Sequence, residues 1–410
     1  MGRIVRLTLC TRTGQVLGSL QPFEVATPWW PDVEPVVSAA RDAFGLDVSV
    51  LRLLEADGDP DEMGGSVSYL AEPIGDVPDA LVFERADQAV AADEPLRARW
   101  ARPGGVEAIL RWADAALAAA GRPRSGPAVQ VKTWNLSSVL RIPTEGGDVW
   151  CKSVPPFLAH EARAIALAGA LDPSLVPPLV GADQEGTALL GDVAGKDQWG
   201  ASEPALIEMA RRLVGLQSAL AGTASELLAA GLPDWRPTAL SALFATLAGR
   251  PSVREVLSLR EAASFDSLLA DLPRRLGELQ ACGLPDTLFH GDFHPGNWRS
   301  DGTSPVLLDW GDSGVGSPLL DLSAFLEAIE AEDVRLRVRD AWLAAWLTRW
   351  PLSDPSRAAE LIAPVAALRR AVIYQGFLDG IEPDERRYHR TDVPDWIREA
   401  LSLASSASAS

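Results

Sequence analysis

The run from Phe289 to Trp298 reads Phe-His-Gly-Asp-Phe-His-Pro-Gly-Asn-Trp, and residues 306–310 read Val-Leu-Leu-Asp-Trp. Together they place two carboxylates and a carboxamide, Asp292, Asn297 and Asp309, at intervals of five and twelve residues. Phosphoryl transfer from a nucleotide requires such a set, because one carboxylate orients a hydroxyl while a carboxamide and a second carboxylate hold magnesium. The alternative is that His, Asp and Asn in a Gly/Pro-rich loop only form turns.

The Asp-x-x-x-x-Asn interval is that of the protein kinase catalytic loop, and an Asp after an apolar strand matches the magnesium-binding Asp of those enzymes. This chain has His-Gly-Asp in place of His-Arg-Asp, and Asp-Trp-Gly in place of Asp-Phe-Gly. That variant resembles the aminoglycoside phosphotransferase family, the small-molecule branch of the kinase-like fold. The resemblance covers roughly residues 127–400. It implies an α+β, bilobal protein-kinase-like fold with a small five-stranded antiparallel N-lobe and a mostly helical C-lobe.

Composition indicates a globular protein of two or three domains, with 410 residues of which 47% are hydrophobic and 23% charged. No stretch approaches the ~20 apolar residues of a membrane span, and the N-terminus lacks a signal-peptide core. The three cysteines, Cys10, Cys151 and Cys282, are far apart and lack metal-ligand spacing. These features predict a cytoplasmic protein without a membrane partner.

The net charge of −19 argues against nucleic acid and anionic membranes as partners. A surface of this sign would attract a cationic substrate, although acidity also serves solubility alone. Downstream of the motif, an acidic cluster could face a cationic acceptor or form a solvated helix face; it comprises Glu327, Glu330, Glu332 and Asp333.

Residues 1–100 are predicted to form an extra N-terminal α+β segment. Its expected elements are a β-hairpin, a helix and three further strands, at Ile4–Cys10 and Val16–Leu20, Asp32–Phe44, and Val48–Leu54, Ser66–Ala71 and Ala80–Phe83. The order of these elements faintly resembles a Nudix-type module. The predicted helix lacks the carboxylate cluster of that family, so the segment is interpreted as a structural or regulatory addition.

Residues 101–126 are predicted to be a helix and linker, and residues 127–195 the kinase-like N-lobe. The expected N-lobe elements are five short strands and one helix, at Val129–Trp134, Val139–Ile142, Val149–Ser153, Leu179–Ala182 and Thr187–Leu190, and at Phe157–Leu171. Residues 196–402 are predicted to form the helical C-lobe with the catalytic loop at 289–310, and residues 403–410 a frayed tail.

Lys152 is one of only three lysines among 37 basic residues, and it lies in a predicted strand after a Gly-Gly turn. In kinases a Lys at this position contacts the α- and β-phosphates and pairs with a Glu on the next helix. Glu161, nine residues on, is the expected partner, and Glu145 in the preceding turn is a less favoured one. An ordinary surface Lys and a Glu that complements the helix dipole are the alternatives.

The loop that connects the first two predicted N-lobe strands contains Asn135, Ser137 and Ser138. It resembles the Asn/Ser loop with which small-molecule phosphotransferases approach nucleotide phosphates, although an ordinary hairpin turn explains it too. The segment after the fifth strand, with Leu190 and Asp192, is expected to be the hinge that contacts adenine, mainly through backbone groups.

The resemblance therefore implies an ATP-dependent phosphotransferase that moves the γ-phosphate to a hydroxyl of a small molecule, such as an aminoglycoside, an amino sugar or a similar metabolite. Asp292 would act as the base, and Asn297 and Asp309 would hold Mg2+. His290 and His294 are expected to support the loop, and Asp321 to cap a helix or anchor a loop. The alternative is a nucleotide-binding regulatory or interaction protein with a kinase-like fold. The joint presence of Lys152, Asp292, Asn297 and Asp309 argues against it, because a catalytically inactive member commonly lacks one of these residues.

Overall fold

The computed structural model describes residues 2–58 and 63–407. The β-strands are β1 Arg3–Cys10, β2 Val16–Ser19, β3 Phe23–Val25, β4 Val48–Ala56, β5 Ser66–Pro73, β6 Val129–Thr133, β7 Ser138–Ile142, β8 Val149–Ser153, β9 Leu179–Ala182, β10 Thr187–Gly191, β11 Lys196–Asp197, β12 Thr287–Phe289, β13 Trp298–Ser300, β14 Val306–Leu307 and β15 Gly314–Gly316.

The α-helices are α1 Glu34–Phe44, α2 Gly105–Ala119, α3 Glu161–Leu171, α4 Glu203–Ala219, α5 Ala224–Ala229, α6 Pro237–Ala248, α7 Pro251–Glu255, α8 Leu259–Ala281, α9 Leu322–Glu327, α10 Glu332–Arg349, α11 Pro355–Gly380 and α12 Asp392–Ala407. Short 3-10 helices occur at Gln88–Ala91, Arg99–Ala101, Pro156–Leu158, Pro295–Asn297, Pro318–Asp321 and Pro383–His389. Residues 403–407 of the predicted frayed tail continue α12, and residues 408–410 lie outside the described residues.

The chain forms two compact units, each built from separate segments. The first comprises Met1–Ala159, Leu179–Asp192 and Phe377–Arg390, and the second comprises His160–Pro178, Val193–Gly376 and Thr391–Ser410. The N-terminal segment therefore shares a unit with the residues expected to form the N-lobe strands, and a C-terminal segment joins them. The domain limits expected from the sequence stay a prediction.

The first sheet of the first unit has the strand order β2-β1-β5-β4, with β3 also paired to β1. The β1–β2 hairpin and helix α1 are confirmed, and α1 ends at Gly45, whose φ of 62° is a left-handed helix cap. The predicted strand at Ala80–Phe83 is wrong. Val82 is 79% exposed, so this run lacks the buried alternate positions of a strand. Instead, Phe23–Val25 pairs with the first residues of β1.

The second sheet has the strand order β6-β7-β8-β10-β9, with antiparallel pairing throughout, as the sequence predicts. One face packs into a core shared with α2 and with the first sheet, through residues that include Leu140, Cys151 and Leu189. Hydrogen bonds also join the two sheets, since the Gln130 side chain donates to Val50 O (2.7 Å) and accepts from Val50 N (2.8 Å). The N-terminal segment is thus packed into the same core as the five-stranded sheet.

The second unit is mainly helical, and short strand pairs hold the motif region within it. Strand β12 pairs with β15, and β13 pairs with both β11 and β14. The helix predicted at Phe157–Leu171 begins at Glu161 instead, because Pro156 opens a separate 3-10 turn.

Helix α11 alone, among helices in the described ranges, has the length and mean hydropathy of a membrane span. Within its most apolar window, 61% is buried inside the protein. Core helices show the same pattern, so this is weak evidence for a membrane segment.

Candidate active site

His290 fixes the start of the motif loop. Its side chain is fully buried, its Nδ1 accepts from Asp292 N (3.3 Å), and its Nε2 lies 2.9 Å from Leu308 O. Because Nδ1 accepts, Nε2 carries the proton and donates to Leu308. Burial lowers the pKa of His290 to about 4, so the neutral ring persists at pH 7. His290 therefore ties the loop of Asp292 to the segment that leads to Asp309.

Asp321 anchors the backbone of the same loop by hydrogen bonds. Its two carboxylate oxygens accept from His290 N (2.9 Å) and Gly291 N (2.6 Å), and Gln217 Nε2 donates to it at 3.2 Å. The side chain is fully buried. Burial raises the pKa of Asp321 to about 6, while the two backbone hydrogen bonds act in the opposite direction. The carboxylate thus holds the backbone immediately before Asp292.

Arg369 joins the two loops of the motif. Its Nη1 donates to Gly291 O (3.2 Å) and its Nη2 to Asp312 O, and the guanidinium lies 4.5 Å from the Phe289 ring centroid. At Gly291, φ is 93°, and a Cβ would lie 2.0 Å from Asp312 O. Only glycine permits this approach of the two backbones. Arg369 and Gly291 together fix the spacing of the loops that carry Asp292 and Asp309.

Asp292 and Asn297 are in direct contact. Asn297 Nδ2 donates to the backbone oxygen of Asp292 (2.8 Å) and to Asp292 Oδ2 (3.1 Å). His294 Nε2 lies 3.4 Å from the same Oδ2, and the Asp292 side chain is 41% exposed. Burial acts to raise the pKa of Asp292, but the hydrogen bond from His294 and the nearby positive charges together outweigh it, and the pKa falls to about 2. Asp292 is therefore an accessible carboxylate at neutral pH.

Asn297 and Asp309 lie at the same end of a strand pair. Asn297 precedes β13 and Asp309 follows β14, and Leu308 N donates to Asn297 O at 2.8 Å. Asp309 is exposed and has a φ of 62°, a left-handed conformation that is costly for a residue with a Cβ. Such strain is frequent at functional sites, where the surrounding structure maintains it.

The residues at this end fit a hard divalent cation. The two donated hydrogen bonds assign the amide nitrogen of Asn297, which leaves Oδ1 as an acceptor that makes no hydrogen bond within the described part of the chain. A carboxamide oxygen and the Asp309 carboxylate are ligands that Mg2+ prefers. In residues 2–58 and 63–407, no group of three or more His, Cys, Asp or Glu could hold a metal alone. The remaining ligands would have to come from nucleotide phosphates and water.

Aromatic packing holds the middle of the loop. Phe293, which is fully buried, lies 4.7 Å from Phe325 and 5.3 Å from Trp342 between ring centroids. Trp199 stacks on His294 with ring centroids 5.0 Å apart. The alternation of a buried Phe293 with the more exposed Asp292 and His294 turns the polar side chains outward.

In the first unit, Lys152 and Leu190 share one face of the five-stranded sheet. Lys152 is opposite Ala188, and Leu190 is opposite Trp150, so strand alternation places these side chains on the same side. Trp150 Nε1 donates to Asp192 Oδ1 at 2.7 Å. The structure therefore brings the predicted phosphate-contacting Lys and the predicted hinge to the face opposite the shared core.

The side chains of Asn135, Ser137 and Ser138 are buried and engaged within their own unit. Asn135 Nδ2 donates to Glu385 O (3.1 Å), Ser137 Oγ accepts from Trp134 Nε1 (2.8 Å), and Ser138 Oγ lies 3.4 Å from Thr133 Oγ1. In this conformation, any phosphate contact from this loop would rest on its backbone N–H groups.

Glu161 begins α3 with its side chain buried, and it belongs to the second unit, whereas Lys152 belongs to the first. Their pairing stays a prediction.

In the acidic cluster, two of the carboxylates form ion pairs with arginines. Glu327 pairs with Arg370 (3.1 Å) and Asp333 with Arg337 (3.0 Å).

Sequence reasoning missed Arg369 and Trp199. Arg369 and Arg370 lie in an otherwise apolar run of α11. A charged side chain in such a run indicates a buried hydrogen-bond partner, because an unpaired buried charge is costly. Trp199 lies far from the motif loop in sequence, and no sequence pattern indicates its contact with His294.

A model of the phosphotransferase enzyme family, APH, matches residues 116–361, more than half of the chain. No curated protein sequence matches the chain significantly. A solved structure of a macrolide 2'-phosphotransferase type I is 17% identical, with 70% of this chain and 97% of that chain covered and a TM-score of 0.48. A microcompartment-associated aminopropanol kinase is 16% identical, with 73% of this chain and 98% of that chain covered and a TM-score of 0.48. A choline kinase from Cryptosporidium parvum is 11% identical, with 68% of this chain and 90% of that chain covered and a TM-score of 0.46.

Proposed function

Because the chain belongs to the phosphotransferase enzyme family, we propose that it transfers the γ-phosphoryl group of ATP to a hydroxyl of a small molecule. The family and the kinase-like fold expected from the sequence are confirmed by the same match. Nucleotide use follows from the family, whereas the acceptor, the metal and the roles of single residues are part of the proposal.

The observation that carries the proposal is the contact between Asp292 and Asn297 at the end of the strand pair that also presents Asp309. One amide thereby serves two purposes. Its nitrogen orients the Asp292 carboxylate, while its oxygen remains an acceptor at the strand end that Asp309 follows. This coupling is what in-line phosphoryl transfer needs, since the nucleophile and the phosphate charge must be positioned together.

Asp292 is proposed to accept a hydrogen bond from the acceptor hydroxyl and to aim its oxygen at the γ-phosphorus. As the new O–P bond forms, the bond from phosphorus to the β,γ-bridging oxygen breaks and ADP leaves, while the hydroxyl proton passes to Asp292. A carboxylate with a pKa of about 2 is a weak base. Its main contribution is therefore orientation, which suits a loose transition state.

Asn297 and Asp309 are proposed to hold Mg2+, which supplies charge neutralisation at the phosphates when bound. Lys152, paired with Glu161, is proposed to contact the α- and β-phosphates. Backbone groups of the loop at Asn135, Ser137 and Ser138 are proposed to approach phosphate, and the segment with Leu190 and Asp192 to contact adenine. The shared sheet face of Lys152 and Leu190 supports this nucleotide assignment.

The acceptor is proposed to be a cationic hydroxyl compound, such as an amino sugar or amino alcohol, because the net charge of −19 favours cations. Neutral polyols of matched size are the natural comparison. Attraction by net charge weakens as ionic strength rises, so a cationic acceptor should show a salt-dependent KM and a neutral one should not.

The test is acceptor-dependent ADP release by the full chain with Mg2+ and ATP, across a panel of amino sugars, amino alcohols, aminoglycosides and neutral polyols. The proposal predicts that at least one acceptor raises ADP release above the acceptor-free rate, and that Asp292→Asn removes the increase. ADP release that no acceptor changes, or an increase that persists in Asp292→Asn, would contradict it.

A further inference from the structure

An exposed indole lies one ring away from the proposed base. Trp199 is 57% exposed, although tryptophan side chains are on average highly buried. Its ring stacks on the His294 ring, with centroids 5.0 Å apart and 17° between the two planes. His294 in turn lies against Asp292, since its Nε2 is 3.4 Å from Asp292 Oδ2. These three side chains therefore form a continuous series of contacts within the second unit.

The backbone that precedes Trp199 is tied to the motif loop. Strand β11, Lys196–Asp197, pairs with β13, and Gln198 N donates to Pro295 O at 3.1 Å. The indole of Trp199 then lies against Gly296, where an added Cβ would come within 2.5 Å of the indole atoms Cε2 and Nε1. Any larger residue at this position would displace the indole. The glycine of the His-Pro-Gly-Asn sequence thus gives Trp199 its place on the loop.

The hydrogen bonds of His294 determine which ring nitrogen is directed at Asp292. Nδ1 accepts from Gly296 N at 3.0 Å, so Nε2 carries the proton in the neutral ring. Nε2 therefore donates to Asp292 Oδ2, the same oxygen that accepts from Asn297 Nδ2 at 3.1 Å. The χ2 torsion of histidine has broad minima, so one hydrogen bond at Nδ1 restrains the ring plane only weakly. The parallel stack of Trp199 adds the missing restraint.

The other carboxylate oxygen of Asp292 is left for a partner from outside the chain. Oδ1 makes no hydrogen bond within residues 2–58 and 63–407, and it is not among the buried polar atoms without a partner in those ranges. An accessible oxygen of this kind can accept from an incoming hydroxyl. Because Oδ2 is held by two donors, Oδ1 is presented in one direction, which is what alignment of a nucleophile requires.

We propose that Trp199 is a positioning residue of the phosphotransfer site. By stacking on His294 it maintains the ring orientation in which Nε2 donates to Asp292 Oδ2, so that Oδ1 alone receives the acceptor hydroxyl. Trp199 thus acts on the reaction through His294. The role at Oδ1 rests on the proposed function, whereas the orientation of His294 by Trp199 does not.

The orientation of His294 is tested by long-range 1H–15N NMR of the histidine rings in the full chain, without nucleotide or acceptor. The chain has four histidines, and the ring signals lost in His294→Gln assign His294. At pH 9 imidazole rings are neutral, so the spectra report the tautomer. We expect the Nε2–H tautomer of His294 in the wild type and a mixture of both tautomers in Trp199→Leu.

Steady-state kinetics test the consequence for the reaction. Trp199→Leu should lower kcat about ten- to a hundredfold with the KM for ATP nearly unchanged, because only the alignment of the hydroxyl is lost. Trp199→Phe keeps a stacking ring and should recover most of kcat. Gly296→Ala should resemble Trp199→Leu, because the added Cβ takes the space of the indole. Trp29→Leu, at a tryptophan of the first unit that is 52% exposed, is the matched control and should behave as the wild type does.

The two arms can fail separately. A proton on His294 Nδ1 in the wild type, or unchanged His294 signals in Trp199→Leu, would overturn the orientation of His294 by Trp199. Wild-type kcat in Trp199→Leu, or a Trp199→Phe variant no more active than Trp199→Leu, would overturn its part in the reaction. Substitution of an exposed side chain changes stability little, so the urea midpoint of Trp199→Leu should equal that of Trp29→Leu. Absence of phosphotransfer by the wild type would contradict the proposed function and leave the NMR result as the test of the His294 orientation.

Discussion

Replacement of Arg369 by methionine is expected to destabilise the second unit and to disturb the loop that carries Asp292. The Arg369 side chain is 1% exposed and donates to the backbone oxygens of Gly291 and Asp312, one in each motif loop. It also lies 4.7 Å from the Trp235 ring centroid and 4.5 Å from that of Phe289. Methionine retains the apolar length of the side chain and removes every donor.

The size of the effect follows from these contacts. A buried carbonyl that loses its donor costs about 1–3 kcal/mol, and the partly buried oxygen of Asp312 should cost less than the buried oxygen of Gly291. The two oxygens together therefore predict a loss of about 2–5 kcal/mol in the free energy of unfolding. Burial lowers the pKa of Arg369 to about 10, so the guanidinium is charged at pH 7 in the wild type. Arg369→Lys keeps a charge but cannot span both carbonyls, and it should lose about half as much, roughly 1–3 kcal/mol.

The assay combines urea denaturation with steady-state kinetics once an acceptor is known. Both Arg369 variants should lower kcat at least about tenfold, because the distance between the Asp292 and Asp309 loops is no longer fixed. Arg357→Lys is the matched control, since Arg357 lies on the same helix and makes exposed ion pairs with Glu278 and Glu360. Stability and kcat of Arg369→Met equal to those of the control would refute the role assigned to Arg369.

Four further predictions address the proposed chemistry. Asp292→Ala should reduce turnover at least about a hundredfold with nucleotide affinity nearly unchanged, and turnover within about tenfold of the wild type would exclude Asp292 as the base. By calorimetry, Asp309→Ala should lose magnesium-dependent ATP binding and Asn297→Ala should weaken it less; unchanged affinity in Asp309→Ala would rule out the metal assignment. Burial raises the pKa of Asp321 to about 6, and its protonation removes an acceptor from the loop amides. We therefore expect kcat to fall as pH drops through 6, and a kcat that stays constant from pH 7 to 5 would contradict this role of Asp321. Lys152→Arg should bind ATP more weakly, since a guanidinium is too wide to replace the ammonium at the phosphates, and retention of wild-type ATP affinity would argue against the phosphate contact.

Local pattern predicted the elements whose determinants are close in sequence. Strand alternation with Gly turns located the β1–β2 hairpin and all five strands of the second sheet within a residue or two. The motif residues Asp292 and Asn297 could be grouped because only five residues separate them, and the structure joins them by a hydrogen bond.

Contacts between residues that are distant in the sequence could not be predicted from it. Residues 377–390 return to the first unit, where Glu385 contacts Asn135, across a separation of 250 residues with no local signal. Arg369 likewise meets Gly291 only through tertiary packing of α11. Strand β3 was missed because three residues with one buried position carry too little alternation. The hydrogen bond of the Asn135 side chain depends on one of those same distant segments.

In the proposed reaction, the γ-phosphoryl group of ATP reaches a hydroxyl oxygen of a small molecule aligned by Asp292. The most direct measurement is phosphorus NMR of the product formed from ATP and the best acceptor of the panel, with the wild type and Asp292→Asn compared side by side. We expect a phosphate monoester on an acceptor hydroxyl with the wild type, and none with Asp292→Asn. A phosphoramidate, phosphate attached to the protein itself, or free phosphate as the only new species would contradict it.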